Sequence, residues 1–408
     1  MEKIKSKYKN NLDEILFIIN IFLCFSSFLG IGSYLFIIIA TIHIINMIFR
    51  KKILINKTFI LSFILILIFI VSYEFIKSRY INISLIKLLY HIYVPIISFT
   101  YAYCILNFSN QRKMETIINY ITIIICSLFL HGLLNMLYEI LLGMPNLLNP
   151  NARYIIDIWT NNRVTATILN SYIFLTLAFI PIFFFYTKYS IKIRSILLAF
   201  TFISLVISIT TASRTFILGF LITVFICILF LLKSGTKFNL KILLLILSLI
   251  IICFIFNIFQ LKDFILNSFL VQRLTSGGFN LLNDPRIQAW IEVLSKIFIY
   301  PFGGGYELNA GLRFAHNMWL DIAYTAGIIP FIFIILITIL MIYFVYASIK
   351  IEAQYRYIIV IFTMNLFLLC FLEPIIEGYY NIFILFFITF GLFCNMSLYD
   401  KKIIIRQS

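Results

Sequence analysis

The sequence predicts an all-α polytopic membrane protein with about twelve transmembrane helices. Hydrophobic residues make up 62% of the 408 residues and charged residues only 12%, whereas a soluble domain is about half apolar and about a quarter charged. The apolar residues form runs of roughly 20, the length that an α-helix needs to cross a bilayer. No run alternates with the period of two that a membrane β-barrel strand shows. These observations exclude a soluble enzyme and a disordered chain.

The apolar runs follow one another along the whole chain, so we expect one integral membrane domain over residues 1–408. The first run follows a Lys-rich start and has no small-residue cleavage site after it. We therefore interpret it as a retained anchor and not as a signal peptide. The predicted spans are roughly 14–29, 32–49, 58–76, 81–106, 115–143, 164–187, 193–210, 215–232, 240–258, 317–347, 357–373 and 379–398.

The basic residues predict the orientation of these spans. Lys and Arg accumulate in the cytoplasmic loops of membrane proteins. If the N-terminus is cytoplasmic, about two thirds of the 32 basic residues fall in cytoplasmic segments. Both termini are therefore expected in the cytoplasm, and the two large outer loops are expected at 144–163 and 259–316. The same rule accounts for the net charge of +16, so no nucleic-acid partner is expected.

Arginine is concentrated on the predicted outer side, where it outnumbers lysine. A planar guanidinium can donate two parallel hydrogen bonds to a phosphate, which a lysine cannot do. We therefore expect a phosphorylated ligand on this side, with contacts to lipid headgroups as the alternative explanation. The outer arginines are Arg79, Arg153, Arg163, Arg214, Arg273, Arg286 and Arg313.

An amphipathic helix is predicted in the second large outer loop. Asp284 followed by Pro285 is typical of a helix start. Arg286 then falls in the first turn, where the free backbone N–H groups also favour a phosphate. We expect the helix to lie on the outer membrane surface. Its predicted apolar face comprises Ile287, Trp290, Ile291, Leu294 and Phe298, with Gln288, Glu292 and Lys296 opposite.

The segment after this helix contains glycines and a histidine. Gly303, Gly304 and Gly305 either allow a ligand to approach the backbone closely or form a flexible turn. His316 is the one histidine predicted at the outer boundary, because the other three lie within apolar runs. A neutral imidazole there can serve as a general base, or His316 caps the next helix. Glu373 and Glu377, in the last outer loop, are candidate partners of the arginines or alternative bases.

Two further arginines are predicted at the starts of membrane helices. Arg214 follows Ser213 in a short outer turn, and Arg163 stands two residues before Thr165. An arginine this close to the hydrocarbon is unfavourable unless it is paired or functional.

The sequence predicts no metal and no cofactor. The seven cysteines all lie within apolar runs, where they are most simply small buried residues. Their spacing forms neither a disulfide framework nor a metal-binding motif. The three successive glycines lack the Lys-Ser/Thr of a phosphate-binding P-loop.

In their order and outer placement, these motifs resemble the O-antigen ligase/polymerase superfamily over about residues 160–330. The resemblance implies a C-type glycosyltransferase of the bacterial inner membrane. Such an enzyme acts at the periplasmic face on undecaprenyl-diphosphate-linked oligosaccharides, without metal or nucleotide sugar. The matching pieces are Arg163-x-Thr165, Ser213-Arg214, Arg286-x-x-x-Trp290, Pro301-x-Gly303-x-Gly305, and His316-Asn317 leading to Gly327.

The resemblance also implies roles for individual residues. Arg214 and Arg286 would bind the lipid diphosphate and His316 would lie near the acceptor, so these three are the expected catalytic residues. The stretch from His316 to Asp321, followed by Gly327, is more similar to polysaccharide polymerases of the Wzy type than to ligases. The expected substrate-binding residues are Arg163, Arg273, Arg313, Asn317, Gly303, Gly305, Trp290, Glu373 and Glu377.

The predicted function is therefore polymerisation of lipid-linked repeat units into O-antigen or a related surface polysaccharide. The expected partners are undecaprenyl-diphosphate-linked oligosaccharides, membrane lipids and a chain-length-regulating membrane protein. One alternative is an O-antigen ligase that transfers the glycan to lipid A–core. Others are a flippase or transporter of lipid-linked oligosaccharide and a scaffold subunit. A transporter should carry charged residues through mid-membrane, where Lys87 and Glu139 are nearly the only candidates.

Overall fold

The structure analysed is a computed structural model of the protein, and it is mostly helical. It describes residues 2–50, 55–80, 83–107, 113–143, 154–234, 284–305, 308–309 and 311–397. Two three-residue strands interrupt the helices, so the all-α prediction holds for the architecture apart from one short hairpin.

The described residues up to 234 contain nine α-helices and the hairpin. In chain order they are α1 (Glu2–Phe25), α2 (Gly32–Phe49), α3 (Lys57–Lys77), α4 (Leu85–Ile105), α5 (Lys113–Leu141), β1 (Tyr154–Ile156), β2 (Arg163–Thr165), α6 (Ala166–Ile173), α7 (Phe179–Phe185), α8 (Ile191–Thr210) and α9 (Arg214–Ser234). A 3-10 helix, Phe174–Ala178, joins α6 to α7.

The described part of the second half begins at residue 284. Its helices are α10 (Pro285–Lys296), α11 (Met318–Ala326), α12 (Ile328–Ile351), α13 (Arg356–Leu372), α14 (Ile375–Gly378) and α15 (Tyr380–Met396).

Nine helices, counted over the described residues, are long and apolar enough to cross a membrane. They correspond to nine of the twelve predicted spans and confirm a multi-pass membrane protein. Of the remaining three, the span at 14–29 falls largely within α1, whose first half is polar. The span at 379–398 corresponds to α15, a shorter apolar helix. The span at 240–258 lies outside the described residues, so the count of twelve stays a prediction.

The predicted span 317–347 is wrong as a single helix, because the chain breaks at Gly327 into α11 and α12. Gly327 has a positive φ of 80°. A Cβ on it would overlap the carbonyl oxygen of Pro301, which accepts a 2.9 Å hydrogen bond from the backbone N–H of Ile328. The break therefore follows from close backbone packing between two segments, a contact that hydropathy does not register.

The chain divides into two compact units. The first comprises residues 1–127, 281–353 and 370–408, and the second comprises residues 128–280 and 354–369. In the first unit α15 is the central helix, with every residue from Ile382 to Met396 buried. It packs closely on α4, because a Cβ on Gly391 would overlap the carbonyl oxygen of Phe99. The rings of Phe99 and Phe390 lie 5.1 Å apart.

The second unit contains a smaller core around the 3-10 helix. Phe174 contacts the ring of Phe216 edge-on at 6.2 Å. A Cβ on Gly219 would lie only 2.6 Å from the Phe174 ring, so that α9 approaches closely at this point. Thr201 of α8 donates a 2.7 Å hydrogen bond to the carbonyl of Thr176.

The three histidines within apolar runs are hydrogen-bonded. In the first unit, His43 lies 3.1 Å from Asp13, and His91 lies 3.1 Å from Glu74. All four of these side chains are buried. In the second unit, His131 contacts Asp157 and is described below with the hairpin.

Candidate functional site

Helix α10 begins as its sequence predicts. Asp284 is the N-cap and accepts a 2.9 Å hydrogen bond from the backbone N–H of Arg286, and Pro285 occupies the first helical position. The cap satisfies one of the backbone donors that a helix start leaves free. The side chain of Arg286 therefore projects from a fixed position in the first turn of the helix.

The predicted apolar face of α10 is not the face that packs on the rest of the protein. Ala289, Glu292 and Val293 are buried, whereas the larger Ile291 and Leu294 are more than half exposed. The physical reason is that small side chains allow α10 to pack closely on the apolar cluster around α11. The large side chains then point outward, as on a helix in contact with lipid.

Trp290 connects α10 to the segment that carries the histidine. Its indole Nε1 donates a 2.6 Å hydrogen bond to the backbone carbonyl of Ala315. Its ring meets Phe371 edge-on at 4.8 Å. The residue predicted to bind substrate thus makes contacts within the protein.

Arg286 reaches the end of α13. Its Nη1 donates a 2.9 Å hydrogen bond to the carbonyl of Leu372, the last residue of that helix. The last carbonyls of a helix have no partner within it, and a cation there is stabilised by the helix dipole. Nη2 of Arg286 lies 3.7 Å from Oε2 of Glu373. The guanidinium is a quarter exposed and Glu373 is fully buried.

His316 approaches the same carboxylate oxygen. Its Nδ1 lies 3.7 Å from Oε2 of Glu373, and its side chain is 20% exposed. The backbone of His316 is left-handed, with φ 56°, which is uncommon for a residue other than glycine. The structure therefore brings Arg286, His316 and Glu373 together around one buried carboxyl group, although they come from three separate segments.

Asn317, and not His316, caps the following helix. Its side-chain oxygen accepts hydrogen bonds from the backbone N–H groups of Trp319 at 3.1 Å and Leu320 at 3.2 Å. The alternative that His316 is a helix cap is therefore wrong. Asn317 itself is buried, so its observed contacts are those of a structural residue.

The glycine segment packs against the junction of α11 and α12. Gly304 and Gly305 donate backbone hydrogen bonds of 3.2 Å to the carbonyls of Thr325 and Tyr324. Gly303 has a positive φ of 67°, and a Cβ on it would lie 2.6 Å from the backbone nitrogen of Ala326. The close approach that Gly303 allows is therefore to the protein's own backbone.

Arg313, Glu377 and Arg273 are further residues predicted to bind substrate. Arg313 is exposed and its guanidinium lies over the Phe314 ring at 5.3 Å. Glu377 is on α14, and its side chain is not among those described. Arg273, the loop 144–153 and residues 259–283 fall outside the described residues.

Arg163 and Arg214 belong to the second unit. The prediction that Arg163 lies in the first turn of a helix is wrong, because it lies on β2, paired with Ile156 of β1. Thr165 at the end of the strand accepts the cap hydrogen bond of α6 and begins the helix instead. Arg163 is exposed and lies over the Tyr154 ring at 4.7 Å.

Arg214 is the first residue of α9, as predicted, and it is exposed. A buried asparagine, Asn170 of α6, ties the start of this helix in place. Its amide donates a 2.8 Å hydrogen bond to Thr215, and its carbonyl accepts one of 2.8 Å from Ser213. The same unit therefore fixes Arg163 just before α6 and Arg214 at the start of α9.

The hairpin is held by a polar ladder along α5, formed by His131, Asn135 and Glu139. Residues spaced by four lie on one face of a helix. His131 and Asn135 contact the Asp157 carboxylate at 2.9 Å and 3.2 Å, and Glu139 accepts a 3.2 Å hydrogen bond from the backbone of Ile156. The hairpin that carries Arg163 is thus attached through side chains and not only through apolar packing.

The buried carboxyl group of Asp157 has a lower pKa than its burial alone would give. Burial alone would raise its pKa, but the hydrogen bond and charge of His131, together with the N–H groups of Thr160 and Trp159, lower the pKa to about 2. Hydrogen bonds that favour the charged form act in this direction. The carboxylate therefore stays ionised at any pH near neutrality.

Sequence reasoning missed the residues that organise these sites. Asp157 and Asn170 gave no signal of their own, because their partners His131, Ser213 and Thr215 are distant in the chain. Asp321 acts on the backbone four and six residues before it, a contact that no residue pattern indicates. Within the described residues, no group of three or more His, Cys, Asp and Glu side chains is arranged to hold a metal ion.

Neither protein-family models nor curated protein sequences give a significant match to the chain.

Proposed function

We propose that the protein is a polysaccharide polymerase that extends a glycan carried on undecaprenyl diphosphate. The observation that supports this proposal best is the meeting of Arg286 and His316 at the Glu373 carboxyl group. It combines a cation suited to a phosphate with a base suited to a hydroxyl group. We further propose that the enzyme lies in a bacterial inner membrane with both termini in the cytoplasm. The site then faces the periplasm.

The proposed reaction is transfer of the growing glycan to a new repeat unit. The bond between the anomeric carbon and the diphosphate oxygen breaks, and its electron pair leaves with the undecaprenyl diphosphate. A hydroxyl oxygen of the new lipid-linked repeat unit bonds to the anomeric carbon. Its proton passes to His316, so atoms and charges balance.

In this reaction His316 acts through the nitrogen that does not face Glu373. Nδ1 is turned toward the carboxyl group at 3.7 Å, which leaves Nε2 to accept the proton. A carboxyl group beside an imidazole orients the ring and stabilises the charge that develops on it. Such contacts are often long without substrate and shorten when it binds.

Arg286 stabilises the leaving group. A guanidinium has five N–H donors, and the Leu372 carbonyl accepts from Nη1. The arginine is therefore held in place while other donors are directed to the diphosphate, where negative charge develops. The roles expected for Arg163 and Arg214 in binding the lipid-linked substrate stay predictions.

Buried ionisable residues in membrane helices are the feature that would favour a transporter. The structure adds Asp13, Glu74 and Lys77 to the two residues found in the sequence, and all three are buried. Asp13 lies 3.2 Å from Arg50 and 3.1 Å from His43. Because the protein itself supplies these partners, we favour the enzyme.

A substitution of His316 that preserves its backbone tests the proposal. Asparagine tolerates the left-handed conformation, so His316→Asn removes the base with little added strain. We expect chain elongation by membranes supplied with lipid-linked repeat units to fall about 10²- to 10⁴-fold. Unchanged elongation in a variant present at the wild-type level would exclude His316 as the base.

Deletion of the gene separates the polymerase from the ligase. Without a polymerase, lipid A–core carries a single repeat unit, because ligation continues. Without a ligase, the core is bare and long glycan accumulates on undecaprenyl diphosphate. We expect the single-repeat phenotype in a host that makes O-antigen, and the second phenotype would show that the protein is a ligase.

A further inference from the structure

We propose that Asp321 is a positioning residue that sets the conformation of His316 from the backbone. The inference rests on the proposed function for its catalytic meaning. The contact geometry on which it depends stands independently of that function.

One buried carboxylate holds the chain on both sides of the histidine. Oδ1 of Asp321 accepts a 2.6 Å hydrogen bond from the backbone N–H of Ala315, and Oδ2 accepts one of 3.3 Å from the backbone N–H of Asn317. The Asp321 side chain is fully buried. Two backbone donors that flank a single residue therefore share one carboxylate, and the residue between them is His316.

The left-handed backbone of His316 needs such a constraint. A residue other than glycine is strained in this region and keeps the conformation only when the surrounding structure holds it there. The φ of His316 is 56°. Trp290 adds a third contact, since its indole donates to the carbonyl of Ala315. The turn is thus held by hydrogen bonds at Ala315 N, Ala315 O and Asn317 N.

This backbone conformation determines where the imidazole points. A change in the backbone dihedral angles of residue 316 would move Nδ1 away from Glu373 Oε2, which lies 3.7 Å from it. Asp321 binds the backbone N–H groups on both sides of the histidine, so it acts on His316 through the chain. A displacement of about 1 Å in a catalytic group can lower a rate about 10²-fold.

A purely structural role for Asp321 makes a different prediction. As a residue in the first turn of α11, it also accepts from the N-cap residue Asn317, which helps to begin the helix. If this were its whole role, its replacement would destabilise α11 without a specific effect on His316. The two roles are distinguished by readouts at the histidine itself.

Asp321→Asn is the appropriate variant, because it keeps the size of the side chain but offers one acceptor oxygen to two N–H groups. We expect kcat for chain elongation to fall about 10- to 100-fold, with KM for the lipid-linked repeat unit changed less than about twofold. Thr338→Val is the matched control. Thr338, on α12, accepts a 2.9 Å hydrogen bond from the indole of Trp319 on α11.

A double substitution tests whether Asp321 acts through the histidine. Asp321→Asn in the His316→Asn background should lower the residual rate no further, because the group that it positions is already absent. An equal fall in both backgrounds would overturn the proposal and leave a structural role. A larger effect on KM than on kcat would overturn it as well.

Chemical modification of His316 provides a readout without activity. Diethyl pyrocarbonate reacts with exposed imidazoles, and mass spectrometry locates the product. We expect Asp321→Asn to change the modification rate of His316 several-fold and Thr338→Val to leave it unchanged. An unchanged rate in Asp321→Asn would overturn the positioning role, whatever the protein catalyses. Full activity of His316→Asn together with a changed rate would instead support positioning and contradict the proposed function.

If Asp321→Asn does not accumulate in membranes, Asp321→Glu replaces it in both experiments. It keeps a carboxylate with two acceptors but displaces them by one methylene. The expected fall in kcat is then smaller, and the modification rate of His316 again decides between the two roles.

Discussion

Trp290 and Ala315 are joined by a 2.6 Å hydrogen bond from the indole Nε1 to the backbone carbonyl. The bond links the helix that carries Arg286 to the turn that carries His316. The two side chains expected to bind phosphate and to accept a proton are therefore coupled through one contact. This hydrogen bond is separate from the contacts that Arg286 and His316 make with the Glu373 carboxyl group.

Trp290→Phe tests this coupling. Phenylalanine keeps an aromatic ring against Phe371 but loses the N–H donor. The free energy of unfolding should fall by about 1 kcal/mol, as for a typical hydrogen bond, and elongation activity should fall by a larger factor than this destabilisation explains. Thermal unfolding and elongation rates measured on the same preparations give the two values. Activity that remains unchanged despite lower stability would show that the contact is structural only.

Arg286→Lys tests the fork geometry of the guanidinium. Lysine keeps the positive charge but cannot bind a carbonyl and a phosphate through separate N–H groups of one plane. We expect Arg286→Ala to abolish elongation and Arg286→Lys to restore little of it, with protein levels unchanged. The matched control is Arg79→Lys, since Arg79 is exposed and lies over the Phe75 ring. Full elongation by Arg286→Ala would contradict a phosphate-binding role for this residue.

Much of this architecture follows from local sequence signals. Nine predicted spans correspond to membrane-crossing helices because hydropathy is a property of consecutive residues. The start of α10 could be predicted equally well, since Asp284 and Pro285 act within the first turn of the helix itself. His316 was distinguished by its position between an apolar run and a polar loop.

The parts that could not be predicted depend on contacts between distant segments. Nothing near Glu373 in the sequence indicates that Arg286 and His316 approach the same oxygen. The break at Gly327 depends on Pro301, and the burial of Glu292 depends on the small residues that face α11. The sequence shows that Gly303 is a conformationally free residue, and this led to the prediction that it contacts a ligand. It does not show that the neighbour requiring a glycine is the backbone at Ala326.

Gly303→Ala and Gly311→Ala form a pair that separates two effects of a glycine. Both residues have a positive φ, 67° for Gly303 and 66° for Gly311. A Cβ on Gly303 would lie 2.6 Å from the nitrogen of Ala326, whereas a Cβ on Gly311 meets nothing within 4 Å. We expect Gly311→Ala to lower stability by only about 1 kcal/mol, from backbone strain, and Gly303→Ala to lower it by clearly more. Equal losses would show that α11 and α12 yield to the added methyl group.

The last prediction concerns the carboxylate that anchors the hairpin. Because the folded state lowers the pKa of Asp157 to about 2, its ionised form stabilises the protein at neutral pH. The sign follows from linkage: this stabilisation is complete above the unfolded pKa of about 4 and is lost as the pH falls through about 2. Asp157→Asn removes the charge and should lower the free energy of unfolding by about 1–3 kcal/mol near neutral pH.

The measurement is the apparent Tm of wild type and variant in detergent from pH 7 to pH 3. The difference in Tm should persist down to about pH 4 and shrink below it, since protonation then removes the charge by which the two proteins differ. Ile155→Val, which shortens a buried side chain of the same hairpin without changing its charge, should give a difference that is independent of pH. A difference that already disappears between pH 7 and pH 5 would mean that His131 and Asn135 do not hold the ionised carboxylate.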